Sequence, residues 1–356
     1  MEKKRSFGLD LVRAVAAVLV LTVHSISCIG FYGEPLTGKC MLLAAVIRMA
    51  CITGVPLFIL LTGYLCVERR WSGSYYRKLV PVLLTYVLAG LGCMLCRMLW
   101  LKEPFTVRSF LTEFAVFNAA PYAWYIEMYV GLFLLAPFFN AGWRALDKRG
   151  RAALTVTLVG LSAVPAAVNH IIGAALWPDW WQGITPLAYY AVGAWLHEYP
   201  IRAKRRWLLL GWAAAVAVNG LWSYLRCYGK VYDWASLFEW NSILALVQAV
   251  LLFSCLSRCD GSRAPAPVRW CVGRVARLSL GIYLISYVPE RFIYPPLNQM
   301  FPIVHRRILW MPASAALVVL CSCLLAQGID WAAGGLMKLF PKKAAVKGQN
   351  RGQKES

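Results

Sequence analysis

The stretch from residue 5 to residue 24, RSFGLDLVRAVAAVLVLTVH, decides how this chain folds. Together with the apolar residues that follow, it is long enough to cross the ~30 Å hydrocarbon core of a bilayer as one helix. Yet it contains Asp10, Arg13 and His24, and ionisable groups are costly inside a span unless they face protein or a water-filled cavity. The stretch therefore predicts a membrane helix with one polar face turned inward.

Helix geometry places the three ionisable residues on one face. A helix turns about 100° per residue, so Arg13 and His24 fall about 20° apart and Asp10 about 40° from His24. Asp10 and Arg13 are also i,i+3 neighbours and can neutralise each other. Two interpretations remain at this point. The stripe is either a structural ion pair plus a histidine bonded to a neighbouring helix, or part of a functional site.

The rest of the chain repeats the apolar pattern. Of its 356 residues 60% are hydrophobic and 15% charged, which is too apolar for a soluble domain of this size. We predict an all-α polytopic membrane bundle with about ten transmembrane helices. The predicted spans are 8–30, 43–66, 79–101, 122–140, 152–172, 184–200, 207–226, 236–256, 276–297 and 309–330. The semi-polar stretch 105–118 is expected to be re-entrant or interfacial, and the first helix to remain uncleaved.

Basic residues indicate the orientation of these spans. With the N-terminus in the cytoplasm, 26 Lys and Arg residues fall in inside segments and 8 in outside segments. Cytoplasmic loops carry such an excess, so we predict a multi-pass protein of the cell membrane with both termini cytoplasmic. The net charge of +21 is then explained by topology, and no nucleic-acid partner is expected. Residues 1–337 form the predicted transmembrane domain, and 338–356 a basic cytoplasmic tail that is disordered or lies against anionic lipid.

Cysteine and histidine patterns give no sign of a metal site. The 12 cysteines include no C-x-x-C pair followed by a second such pair, and no H-E-x-x-H occurs. We therefore expect no bound metal. Cys28 and Cys40 could form a disulfide if both faced the oxidising side of the membrane.

Several segments together resemble the acyltransferase-3 family of membrane acyltransferases. Leu9–Asp10, Arg13 and His24 match the family's opening signature, an LD-x-x-R run followed by ten residues and a histidine. Four further segments follow in the family's order and extend the resemblance over nearly the whole chain. They are PLFILLTGYLCVERR (56–70), YYRKLVP (75–81), AWYIEMYVGLFLLAPFF (123–139) and LSLGIYLISYVP (278–289).

The chain departs from the family pattern at a few positions. Thr62 stands where the family usually has serine, and Ser286 where histidine is common. Tyr75 and Lys78 occupy the two arginine positions of the basic segment, with Arg77 as a possible substitute.

The resemblance implies an O-acyltransferase that moves an acyl group, with acetyl favoured, from acyl-CoA to a hydroxyl of a cell-envelope glycan or lipid-linked saccharide. Acyl-CoA (acetyl-CoA) is then a donor substrate, no cofactor is bound, and membrane lipids surround the protein. The implied catalytic residues are His24, Arg13 and Asp10. Neutral imidazole is the usual base for a hydroxyl, and arginine suits phosphate or a developing oxyanion. His24 could act as a general base or as an acyl carrier.

Other polar residues in or near the spans are second-rank candidates for substrate binding: Trp124, Tyr125, Glu127, Arg77, Lys78, Glu290, Arg291 and Ser286. Glu127 could orient His24 or hold a sugar hydroxyl, or it could simply pair with an intramembrane arginine such as Arg48. The alternative function, from another class, is a membrane carrier or exporter of a small polar solute or glycan.

Overall fold

The computed structural model describes residues 6–174, 176–233 and 239–339, and these form fourteen α-helices. Helices account for 79% of the chain, and no strand occurs among the described residues. The helices are α1 Phe7–Cys28, α2 Gly38–Cys51, α3 Gly54–Cys66, α4 Gly73–Tyr76, α5 Val80–Leu99, α6 Val107–Ala115, α7 Trp124–Ala145, α8 Lys148–Ile172, α9 Thr185–Glu198, α10 Arg205–Arg226, α11 Ile243–Leu256, α12 Ala266–Ile285, α13 Tyr287–Met300 and α14 Val304–Leu339.

The predicted all-α polytopic bundle is confirmed, and the helices follow the predicted spans in order. Within the described ranges, seven helical segments are long and apolar enough to cross a membrane, or eight if the bent pair α12–α13 is one span. The other two predicted spans, 184–200 and 236–256, coincide with α9 and α11, which have only 14 residues each. Such helices are about 21 Å long, shorter than a ~30 Å hydrocarbon core. Residues 236–238 of the second span lie outside the described residues.

The short helix α9 is surrounded by protein, which removes the need to match the bilayer. It lies against α3 and α8, and most of its residues are buried. Gly63 of α3 makes the contact with α9 very close, because a Cβ at this position would lie 2.1 Å from the carbonyl oxygen of Tyr190. Small residues allow membrane helices to approach in this way.

Loop contacts lie beyond both ends of α1. At one end Leu36, after α1, forms a bridge with Tyr228, after α10. At the other end the start of α1 touches the end of α11, with Gly8 beside the Ser257 carbonyl. Loops predicted to share a side of the membrane therefore contact each other.

The helix pair α12–α13 is bent by 65° at Ser286. Pro289 explains the break, because proline has no N–H to donate to the Ile285 carbonyl four residues earlier. The Ser286 hydroxyl instead donates to the Tyr283 carbonyl at 3.0 Å. The bend directs α13 back across the end of α1, where the candidate site lies.

Two peripheral predictions concern segments outside the main spans. The stretch 105–118 contains α6, a nine-residue helix too short to cross a bilayer, with Val107 and Leu111 exposed. Whether this segment is re-entrant or interfacial stays a prediction. Of the predicted tail, Lys338 belongs to the last turn of α14, and residues 340–356 lie outside the described residues.

Candidate functional site

His24 lies near the end of α1 and is held by residues from two distant parts of the chain. Its ring stacks on Tyr122, just before α7, with centroids 3.8 Å apart and planes inclined by 27°. Its Nδ1 atom is 3.8 Å from the Glu290 carboxylate of α13. Tyr283 of α12 approaches from a third side, with ring centroids 6.0 Å apart. The imidazole is thus fixed in orientation while 15% of its side chain remains exposed.

Glu290 organises this cluster from within the protein. Its side chain is completely buried, and its Oε2 atom accepts a hydrogen bond from the Tyr122 hydroxyl. The same oxygen lies 3.9 Å from the Cys28 thiol, one helical turn after His24. A buried carboxylate is stabilised by such donors. Cys28 therefore faces Glu290, and it is a free thiol, as is Cys40. The structure does not contain the Cys28–Cys40 disulfide that the sequence left possible.

His24 and Glu290 face each other at a distance slightly longer than a hydrogen bond. His24 Nδ1 and Glu290 Oε1 are both buried without a hydrogen-bond partner among the described residues. Their separation of 3.8 Å exceeds the usual limit of a hydrogen bond by roughly 0.6 Å. A small side-chain movement would therefore join the two atoms.

Arg13 lies eleven residues earlier on the same helix, beside a cavity of about 290 Å³. We call this the α1 cavity. It is lined on its polar side by Arg13 and Arg69, and by the hydroxyls of Thr62, Ser279, Tyr125 and Tyr283. The cavity combines two guanidinium groups with several hydroxyl donors, a combination suited to an anionic ligand.

The polar face predicted for α1 is present. Asp10 and Arg13 form the expected i,i+3 ion pair, with 3.7 Å between their charged atoms. At 1.5 Å per residue, Arg13 and His24 are about 16 Å apart along the helix. Tyr283 connects the two regions, because it lines the α1 cavity and also faces the His24 ring.

The first turns of α7 separate two cavities. Tyr125 faces the α1 cavity. Trp124 and Glu127 face the opposite side, where a second cavity of about 500 Å³ lies between α7 and the start of α9. We call this second cavity the α7 groove; α7 lines it with Trp124, Glu127, Met128, Gly131, Leu132 and Leu135, and the α9 side with Gly183, Ile184, Pro186 and Leu187.

Other sequence candidates lie apart from the α1 cavity. Arg77 and Lys78 form an exposed 3-10 turn before α5. Ser286 is buried at the bend. The Arg291 guanidinium lies over the Tyr287 ring, 4.6 Å from its centroid.

Glu127 is not the partner of Arg48 in this structure. The buried Arg48 guanidinium pairs with Glu239 at 2.6 Å. It also donates hydrogen bonds to the hydroxyls of Tyr32 and Tyr232. The Arg48 cluster therefore joins the loop after α1 to the loop before α11.

Four residues of the site, Tyr283, Arg69, Cys28 and Tyr122, had no predicted role in it. Tyr283 and Arg69 belong to segments that carried the family resemblance, and those segments could have indicated them as site residues. Cys28 follows His24 by four residues and shares its helix face. Tyr122 had no such signal, because only the folded chain brings it onto the imidazole.

Comparison with known proteins identifies the family to which the chain belongs. A family model described as an acyltransferase domain, that of the acyltransferase-3 family, matches residues 6–327. No curated protein matches the chain, and no solved structure does. The matched region includes α1, the α1 cavity and the Glu290 cluster. The chain therefore belongs to the acyltransferase-3 family and is a multi-pass membrane acyltransferase.

Proposed function

We propose that this protein is an O-acyltransferase of the cell membrane. It takes an acyl group, with acetyl favoured, from acyl-CoA and passes it to a hydroxyl of an envelope glycan or lipid-linked saccharide. The observation that carries the proposal is the His24–Glu290 pair, which adjoins an arginine-lined cavity through Tyr283. Acyl transfer to a hydroxyl requires a base at the reacting oxygen and a binding site for the anionic donor.

His24 is the general base of the proposed reaction. Glu290 faces Nδ1, so a proton on Nδ1 leaves the Nε2 lone pair free for the acceptor hydroxyl. The acceptor O–H gives its proton to Nε2 while its oxygen attacks the thioester carbonyl. The C–S bond then breaks, and the departing CoA thiolate takes the proton from the imidazolium. Glu290 stabilises the positive charge that forms between these steps.

Arg13 and Arg69 are the proposed binding groups for the phosphates of coenzyme A. Their guanidinium groups line the α1 cavity, and arginine binds phosphate with a planar pair of donors. Of the two roles considered for Arg13, phosphate binding fits its position better than oxyanion stabilisation. Arg13 is about 16 Å from His24 along the helix, which an extended pantetheine arm can bridge.

Donor and acceptor approach from opposite faces of the membrane in this proposal. The excess of basic residues favours a cytoplasmic start of α1, on the side where acyl-CoA is found. His24 is 17 residues beyond Phe7, or about 26 Å along a ~30 Å core. The base is therefore close to the outer face, within reach of an acceptor that faces outward.

The test is an assay with purified protein in sealed inside-out vesicles. Labelled acetyl-CoA is added outside and a glycan acceptor is trapped inside. Label should appear on the trapped acceptor, and His24→Ala should abolish it. His305→Ala is the matched control, because His305 is a half-buried histidine away from the site, with a ring nitrogen 3.4 Å from the Thr37 carbonyl. Near-normal transfer by His24→Ala would refute the assignment, and solute movement without acyl-CoA consumption would favour the carrier alternative.

A further inference from the structure

We propose that the α7 groove binds a glycolipid acceptor. The sugar lies at Trp124 and Glu127, and the hydrocarbon chain follows α7 toward Leu132 and Leu135. This inference rests on the proposed function, because it supplies the acceptor for the reaction at His24. It assigns a binding site to a cavity on the face of α7 opposite the α1 cavity.

The groove changes from polar to apolar along the helix. Trp124 and Glu127 line its first turn, whereas Gly131, Leu132 and Leu135 line the part that follows. Leu135 is eleven residues beyond Trp124, or about 16 Å along the helix axis. With α7 entering from the outer face, this distance reaches the middle of a ~30 Å core. A ligand that fills the groove must therefore have a polar end near the surface and an apolar chain below it.

The polar end has the chemistry of a sugar site. The Trp124 ring is 39% exposed and rests on Trp240, with centroids 5.7 Å apart. A supported indole offers a flat apolar surface to the C–H face of a sugar ring. Glu127 is exposed, and its carboxylate makes no hydrogen bond or ion pair with the described part of the chain. It can accept from sugar hydroxyls, while its negative charge disfavours a phosphate in the same place.

The start of α7 connects the groove to the reacting histidine along the chain. Tyr122, which stacks on His24, precedes Trp124 by two residues. The next residue after Trp124, Tyr125, lines the α1 cavity. In the proposal, a sugar held at Trp124 lies two residues along the chain from the ring that stacks on His24, and its hydroxyl reaches the imidazole around the start of α7.

Gly131 keeps the middle of the groove open. A Cβ at this position would meet no heavy atom within 4 Å, although the residue lines the cavity. A larger side chain at residue 131 therefore enters free space in the groove without forcing protein atoms apart. Gly142 on the same helix also has nothing within 4 Å and does not line the groove. The two glycines form a matched pair for a test.

The experiment uses photolabelling of the full-length protein in nanodiscs. The probe is farnesyl glucoside with a diazirine in its chain, and the comparison probe is a phosphatidylglycerol with the same group. Digestion and mass spectrometry locate the label. We expect the glucoside to label residues 124–135 and 183–187, and unlabelled farnesyl glucoside to compete. Equal labelling by phosphatidylglycerol, or no competition, would mean an ordinary lipid contact and would overturn the proposal.

Variants sharpen the result. Gly131→Leu should weaken specific labelling roughly tenfold, because its side chain displaces at least two methylene groups of the bound chain. Specific labelling of Gly142→Leu should equal that of the unchanged protein. His24→Ala should also keep its labelling, since binding does not need catalysis. Full labelling without acyl transfer would reject the proposed function and leave the glycolipid site supported. Acyl transfer together with unaltered labelling of Gly131→Leu would reject the glycolipid site and leave the proposed function supported.

Discussion

Replacing Glu290 by glutamine tests the central pair of the site. The amide preserves the shape of the carboxylate and can still accept the Tyr122 hydrogen bond, but it removes the charge that faces His24. With 3.8 Å between the two groups and an effective dielectric constant of about 20, the interaction of an imidazolium with the carboxylate is about 4 kcal/mol. This figure is the upper limit of the effect, equivalent to about a thousandfold in rate.

We expect Glu290→Gln to lower kcat by roughly 100- to 1000-fold. KM for acyl-CoA should remain nearly constant, because Glu290 does not line the α1 cavity. The assay is acetyl-CoA consumption in proteoliposomes, with thermal unfolding of the purified protein as the folding check. Glu34→Gln, which changes an exposed carboxylate, is the control and should leave kcat unchanged.

A double substitution makes the test stricter. If Glu290 acts through His24, the combination of Glu290→Gln with His24→Ala should be no slower than His24→Ala alone. Fully additive losses would show that the two residues act independently. A folded Glu290→Gln protein with more than about a third of the normal kcat would refute the electrostatic reasoning, because it corresponds to less than ~1 kcal/mol.

Three further outcomes are expected. Arg13→Lys should lower kcat/KM for acyl-CoA roughly 10- to 100-fold, since lysine lacks the planar pair of donors, while Arg77→Lys should change it little; equal kinetics for both variants would remove Arg13 from the donor site. Gly63→Ala should destabilise the folded protein by about 1–3 kcal/mol, seen as a lower Tm, because its Cβ would lie 2.1 Å from a backbone oxygen; Gly142→Ala, with free space around it, is the control, and an unchanged Tm for Gly63→Ala would contradict the close α3–α9 contact. Reporter fusions should report the cytoplasm at residue 356 and the outside after residues 35, 175 and 302. A C-terminus on the outside would contradict the predicted topology.

The polar face of α1 could be predicted because it depends on one helix alone. The 3.6-residue period fixes the relation of Asp10, Arg13 and His24 wherever the helix lies. The order of the spans was equally accessible, since apolar length and the asymmetry of basic residues are properties of the chain. The short length of α9 could not be predicted in this way. Its burial between α3 and α8 replaces the lipid contact that makes span length predictable.

The partners of His24 required the fold. Glu290 was only one of several carboxylates in the spans, and its approach to the imidazole depends on the 65° bend between α12 and α13. Pro289 marks a possible break in the sequence, but not the direction in which the next helix continues. Tyr122 lies in a connecting segment, whose position follows from tertiary contacts and not from any period in the sequence.

The placement of α7 between two cavities has a consequence for protein engineering. The residues of α7 that face the groove are separate from those that face the α1 cavity. Under the proposals made above, Gly131, Leu132 and Leu135 can be exchanged to suit acceptors with other chains while the donor chemistry is left intact. Libraries restricted to this one helix face would then be small, and selection on them would change acceptor preference without rebuilding the catalyst.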